Sequence, residues 1–180
     1  MGESQPMSLP PEVFEREVKN LLDAVGTELV GFESKHRAKV LGVDGLYEID
    51  IFAWFIALGV EFRVLVECKH QSEPVKREVV QVLNDRLRSV GAQKGLMVAT
   101  ARFQRGAIEY AQRHGIALVQ LVEGRATYFT RSLGEQAELP PWANIESYAG
   151  WMLSLGDQGS EVHSLISIDH PEALQTFLKS

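Results

Sequence analysis

The sequence predicts an α/β domain with elements in the order α-β-β-β-α-β-α-β and a C-terminal extension. Three observations carry this. Two runs of β-type composition, Tyr47–Leu58 and Val60–Cys68, flank Gly59. Apolar residues recur at helical spacing across Phe14–Val25 and Val75–Val90. Short apolar stretches, Gly95–Ala99 and Ile116–Val122, then alternate with a helical stretch ending near His114. At 180 residues, 45% hydrophobic and 23% charged, the chain is long enough for a proper core and shows no repeat or low-complexity run. The expected organisation is a mobile tail at 1–9, a core domain at 10–122, and an extension at 123–180. The extension would pack on the core or at a dimer interface.

The elements follow in order. Pro10-Pro11 suits a helix start, where missing amide donors cost little. Phe14, Val18, Leu21, Leu22 and Val25 form the apolar stripe, and Gly26 closes the helix. Glu15 and Glu17 flank that stripe on opposite sides, and geometry does not choose between them. Thr27–Leu41 reads as the first strand. Its basic cluster, with Lys35 and Arg37, either contacts phosphates or protects a sheet edge from aggregation. Gly42-Val43-Asp44-Gly45 is a turn; Asp44 serves that turn or stands near a metal.

The hairpin carries the chemistry. With Leu58-Gly59 as a two-residue turn, Asp50 falls opposite Glu67, with Cβ atoms about 4.5–5.5 Å apart. Lys69, two residues after Glu67, projects from the same face, and Cys68 from the other. Two adjacent carboxylates repel, and burial raises the cost of charging both. A hard cation removes that cost: Mg²⁺ takes one or two carboxylates plus waters and substrate phosphate. Lys69 adds a charge that steadies a phosphate or an attacking water. The alternative is a structural salt bridge between Lys69 and one acid. Cys68, on the reverse face, reads as a small core residue.

After the hairpin, His70 stands at the mouth of this site, either as a contact to DNA or water or as a plain loop histidine. Val75–Val90 forms the second helix, with Val75, Val79, Val82, Leu83, Leu87 and Val90 as its buried stripe. Gln81 comes two turns in. Thr100 through Arg105 leads into the third helix, and Arg102 and Arg105 there make a phosphate cradle or simple capping. In the extension, Arg125–Thr130 could add a strand and Leu139–Trp142 signals a boundary. Trp142, Tyr148, Trp151 and Met152 suit core or dimer packing. Val162–Ile168 alternates weakly as a strand, and Pro171 opens a final short helix.

Other chemistries lack their signatures: no Gly-rich phosphate loop, no Cys-X-X-Cys pair, no zinc-spaced histidines and no nucleophile elbow. The N-terminus lacks signal-peptide character, and the longest apolar run, Ile51–Val60, is too short to span a bilayer. A single cysteine excludes an intramolecular disulfide and fits a reducing cytoplasm. The net charge of −6 opposes strong non-specific DNA binding.

The chain resembles the restriction-endonuclease-like PD-(D/E)XK nucleases, Mrr-type branch, from about Phe14 to Leu121. The residues concerned are Phe14-Glu15, Gly42–Gly45, Glu48-Ile49-Asp50-Ile51, Val66-Glu67-Cys68-Lys69, Gly95–Thr100, Phe103, and Ala111 through Gly115-Ile116. The proline of the family name is absent, since Ile49 precedes Asp50. The resemblance implies a mixed β-sheet flanked by helices and a metal-dependent DNA endonuclease. It favours Glu15 as an auxiliary acid and Gln81 as a residue orienting water or phosphate. Asp50 and Glu67, helped by the Cys68 carbonyl, would hold Mg²⁺, with Mn²⁺ as an alternative, and Lys69 would position the water. Cutting a duplex favours a two-fold dimer, and a partner protein could supply specificity. The competing expectation is the same fold kept as a non-catalytic DNA-binding or assembly module. RNA or branched DNA is a further substrate class.

Overall fold

A computed structural model of the chain describes residues 9–123, 148–167 and 169–180. Its elements are α1 (Pro11–Gly26), β1 (Glu33–Leu41), β2 (Leu46–Ala57), β3 (Val60–Lys69), α2 (Arg77–Val90), β4 (Lys94–Ala99), α3 (Arg105–Arg113), β5 (Ile116–Glu123), β6 (Tyr148–Leu155), β7 (Glu161–Ile166) and α4 (Glu172–Lys179). The strands of the described residues form one sheet in sequence order, β1 to β7. The β3–β4 and β4–β5 pairs are parallel and the other neighbours antiparallel.

The β2–β3 turn sets the register. Leu58 and Gly59 take φ of 53° and 76°, and Ala57 pairs with Val60. Positive φ at both central residues is the type I′ signature, whose twist matches that of the flanking strands. Pairing then runs back in the expected register to Ile51↔Val66, one pair short of the expected Asp50–Glu67 opposition.

Each parallel step needs a crossover helix. Because β3, β4 and β5 advance in one direction, a fixed crossover hand puts α2 and α3 on the same face. Leu65, Met97 and Leu118 meet Val80, Leu83, Leu87 and Ile108 there. On the other face, Ile51, Ala53, Val64, Val66 and Val119 meet Phe14, Val18, Leu22 and Val25 of α1, and Leu174 and Leu178 of α4. Burial on both sides makes β4 almost continuously apolar.

Several sequence expectations are corrected. The first strand starts at Glu33, not Thr27. Residues 27–32 form a tight connection, with the Leu29 amide on the Gly26 carbonyl and the Phe32 amide on the Leu29 carbonyl. Gly26 is the last helical residue rather than a left-handed cap; a Cβ there would lie 2.5 Å from the Phe32 ring, so close approach explains it. Helix α2 begins at Arg77, and Val75 instead bridges to Phe103. Val82 is 51% exposed, and Val80 takes its place in the stripe. Tyr148–Leu155 forms a full strand. The Arg125–Thr130 strand, the Leu139–Trp142 boundary and most of the expected tail lie outside the described residues.

Candidate active site

The inward and outward alternation of β2 changes at Asp50. Ile51, Ala53 and Phe55 pack in the α1 layer, but Ile49 packs in the α2 layer. In β1, His36 pairs with Ile51 and Ala38 with Ile49, while Arg37 between them has φ of 49° and makes no bridge. The two strands therefore bend together without losing register. On the other side, the β2–β3 ladder stops at Ile51↔Val66, whereas β3 stays paired with β4 as far as Lys69↔Ala99. The ends of β2 and β3 part here, and the Cys68 amide donates to Asp50 Oδ2 at 2.7 Å.

Glu67 is the best-buried carboxylate of the group, and each of its oxygens holds a cation. Lys69 Nζ lies 2.7 Å from Oε1, and Arg86 Nη1, reaching in from α2, lies 2.7 Å from Oε2. Asp50 makes no ion pair with a described residue. Burial raises its pKa first; the Cys68 amide opposes that, Glu67 and Glu15 raise it further, and Lys69 lowers it. The Cys68 side chain packs in the α1 layer, and burial followed by the Asp50 charge pushes its thiol well up. That suits a packing residue and not a nucleophile.

The neighbouring backbone is firmly held. The Thr100 amide donates to the Lys69 carbonyl at 3.1 Å. Thr100 Oγ1 accepts from the Gln71 amide at 3.0 Å and donates to the Gln71 carbonyl at 2.8 Å. Lys69 thus leaves a strand clamped to the centre of the sheet, the kind of rigid support a preorganised site needs.

The remaining sequence candidates are spread around this centre. Glu15 Oε2 lies 2.6 Å from His36 Nε2 and 3.1 Å from Arg37 Nε, and its charge reaches Asp50. Glu17 has no such influence on Asp50. Arg37 also reaches Glu12 at 3.3 Å, so the chain's own acids occupy it. Lys35 sits over the Trp54 ring at 5.1 Å. The His70 ring packs edge-on to Phe14 at 5.7 Å, and its Nε2 is shielded from solvent without a hydrogen-bond partner among the described residues. Gln81 is half-buried on α2, with no side-chain hydrogen bond to a described residue. Asp44 accepts from the Tyr47 and Ser89 hydroxyls, which lower its pKa, and so it is a turn anchor. Arg102 is exposed beside a cavity of about 250 Å³ that Gln120 and His163 also line, and Arg105 pairs with Glu109 at 2.9 Å.

Among the described residues, no three His, Cys, Asp or Glu side chains form a metal-binding cluster. A cation here would rest on two carboxylates, a backbone carbonyl and water, a set that suits Mg²⁺. Asp50 fits, since Oδ1 carries no hydrogen bond from a described residue and its charge lacks a paired cation. Glu67 fits once one oxygen is released. Arg86 was not foreseen from the sequence. Its one signal is a cation beside Leu87, at the margin of the buried stripe.

No curated protein matches the chain significantly. One similar solved structure is described as a protein of unknown function, AF1548, with 24% identity and a TM-score of 0.50. The match covers 61% of this chain and 57% of that one. It supports the fold. A second is the DNA modification-dependent restriction endonuclease AspBHI, with 16% identity and a TM-score of 0.41, covering 66% of this chain and 35% of that one. The family model for the Mrr catalytic domain, described as a restriction endonuclease, matches residues 7–126. That match spans well over half of the sequence, from before α1 to beyond β5, and the chain belongs to this restriction endonuclease family.

Proposed function

We propose that this chain is a Mg²⁺-dependent endonuclease that hydrolyses phosphodiester bonds in DNA, with Mn²⁺ as an alternative ion. The observation that carries the reading is the meeting of Asp50, Glu67 and Lys69 where β2 and β3 part. Family membership supports the same chemistry. Asp50 Oδ1, one oxygen of Glu67 and the Cys68 carbonyl would hold the ion. When bound, a divalent cation supplies Lewis acidity toward the phosphate and lowers the pKa of the attacking water.

The chain's own groups do the rest. Lys69, fixed by the clamp at Thr100, steadies the attacking water or the charge gathering on the phosphate. Glu15 adds negative charge on the α1 side. Gln81 is a candidate for orienting water or phosphate. Arg102 and Arg105 near the start of α3, with Lys35 on β1, are candidates for contacts to the DNA backbone. Double-strand cutting would call for two copies related by a dyad, and sequence choice for a partner protein.

The second reading is a non-catalytic DNA-binding or assembly module. It draws on the two cations already seated on Glu67, and the net charge of −6 favours an assembly role over DNA binding within it. Plasmid incubated with and without Mg²⁺ separates the two. The nuclease reading expects metal-dependent nicking by the parent that is lost or steeply reduced in Asp50→Ala and Lys69→Ala. Binding without cleavage under Mg²⁺ and Mn²⁺ alike would favour the module. Branched DNA and RNA substrates in parallel test the substrate class.

A further inference from the structure

Each oxygen of Glu67, the proposed metal ligand, is already held by a cation. Lys69 holds one at 2.7 Å and Arg86 the other at 2.7 Å. Lys69 belongs to the same strand as Glu67, so its contact is local. Arg86 comes from α2, and that contact joins two elements. The helix is fixed on either side of it by buried Leu83 and Leu87. The Arg86 side chain is 29% exposed, so it borders solvent while its backbone is held in the helix.

Charge counting gives this contact a consequence. Two carboxylates, Asp50 and Glu67, face two cations, Lys69 and Arg86. The group is neutral, with Glu15 occupied separately by His36 and Arg37. A divalent ion added to a neutral, half-buried group would leave it doubly positive. If Arg86 instead turns to a neighbouring phosphodiester, whose charge it balances, the groups left around the ion are Asp50, Glu67, Lys69 and the scissile phosphate. They carry two net negative charges, which one divalent ion balances. Guanidinium binds phosphate by a fork of two parallel donors, which compensates for the contact it gives up.

We propose that Arg86 is a positioning residue that closes Glu67 to metal in the free protein and transfers to a backbone phosphate when nucleic acid binds. Metal and nucleic acid then bind cooperatively. The inference rests on the proposed metal-dependent nuclease reading. By linkage, nucleic acid tightens Mn²⁺ binding by the same factor as Mn²⁺ tightens nucleic acid binding, on the order of tenfold.

The test is calorimetric titration of the full chain with Mn²⁺, alone and with a phosphorothioate duplex that resists cleavage. The parent should bind Mn²⁺ weakly alone and about tenfold more tightly with the duplex. Arg86→Ala should bind Mn²⁺ more tightly than the parent when alone, and the duplex should add little. Lost packing alone would not raise metal affinity. Arg86→Lys, which keeps the charge without the fork, should fall between the two and covers the case in which the alanine variant misfolds. Unchanged Mn²⁺ affinity in both variants, with the duplex effect intact, overturns the role of Arg86 and leaves the metal site standing. If the parent takes up no Mn²⁺ with or without duplex, the nuclease reading itself fails, and this inference with it.

Discussion

The two carboxylates at the parting strands should respond in opposite ways to the same change. Glu67→Gln keeps the shape and removes the charge that Lys69 and Arg86 share. Contacts of this kind contribute roughly 1.5–3 kcal/mol each when shielded from water. Lys69 and Arg86 are 31% and 29% exposed, so solvent screening lowers the value. A loss of about 1–3 kcal/mol is expected, which for a chain of this size lowers Tm by roughly 2–12 °C. Asp50→Asn keeps an acceptor for the Cys68 amide and removes a charge that burial, Glu67 and Glu15 oppose. It should raise Tm. The folded-state pKa of Asp50 lies above its ordinary value of 3.8, so its ionisation costs nothing below that pH. The cost grows as pH rises through the folded pKa and is complete above it. The advantage of Asn therefore appears at neutral pH and disappears in acid. Scanning calorimetry in EDTA at both pH values reads this directly. If Glu67→Gln raises Tm at neutral pH as Asp50→Asn does, Glu67 is not neutralised by its two cations and the electrostatic reading of the site is wrong.

Three other changes test separate parts of the structure. Lys69→Ala should reduce plasmid nicking about 10²–10⁴-fold while Mn²⁺ binding by calorimetry persists; a loss of metal binding would assign Lys69 to holding the site together. Gly26→Ala gains about 1 kcal/mol of helix propensity but drives a methyl into the Phe32 ring at 2.5 Å. The net effect in urea unfolding should be destabilising by up to about 2 kcal/mol, after an overpacking cost of roughly 1–3; a more stable variant would refute the close approach. Replacing Arg102 and Arg105 together by Ala should weaken duplex binding and flatten the slope of log affinity against log salt by roughly 2; an unchanged slope would show that neither touches phosphate.

What was readable from the sequence was local. Gly59 between two runs of β-type composition specified the hairpin, and its short turn specified which residues oppose one another. The same rule carried Lys69 to the side of Glu67. The misreadings arose where several patterns fit. Leu29, Val30 and Phe32 look like strand residues, but the Gly26 and Leu29 carbonyls capture the nearby amides in a turn. On α2, Val79, Val80 and Val82 are chemically alike, and only packing against Leu65 and Met97 selects Val80. Arg86 was out of reach for another reason. Helical period fixes which face a residue occupies, but not which strand end that face will meet. The bend at Arg37 and Asp50 was equally hidden, because neither residue type advertises it.

The layer that carries Glu15 is completed from the far end of the chain. Leu174 and Leu178 of α4 share a core with Phe14 and Leu22, and Gln175 reaches the Val25 carbonyl across 150 residues of sequence. Contacts this distant form late, because a long loop must close before they stabilise anything. During synthesis the first helix emerges early but waits for its roof until nearly all of the described chain has left the ribosome. A growing polypeptide would thus hold Glu15 on a loosened layer until α4 has docked.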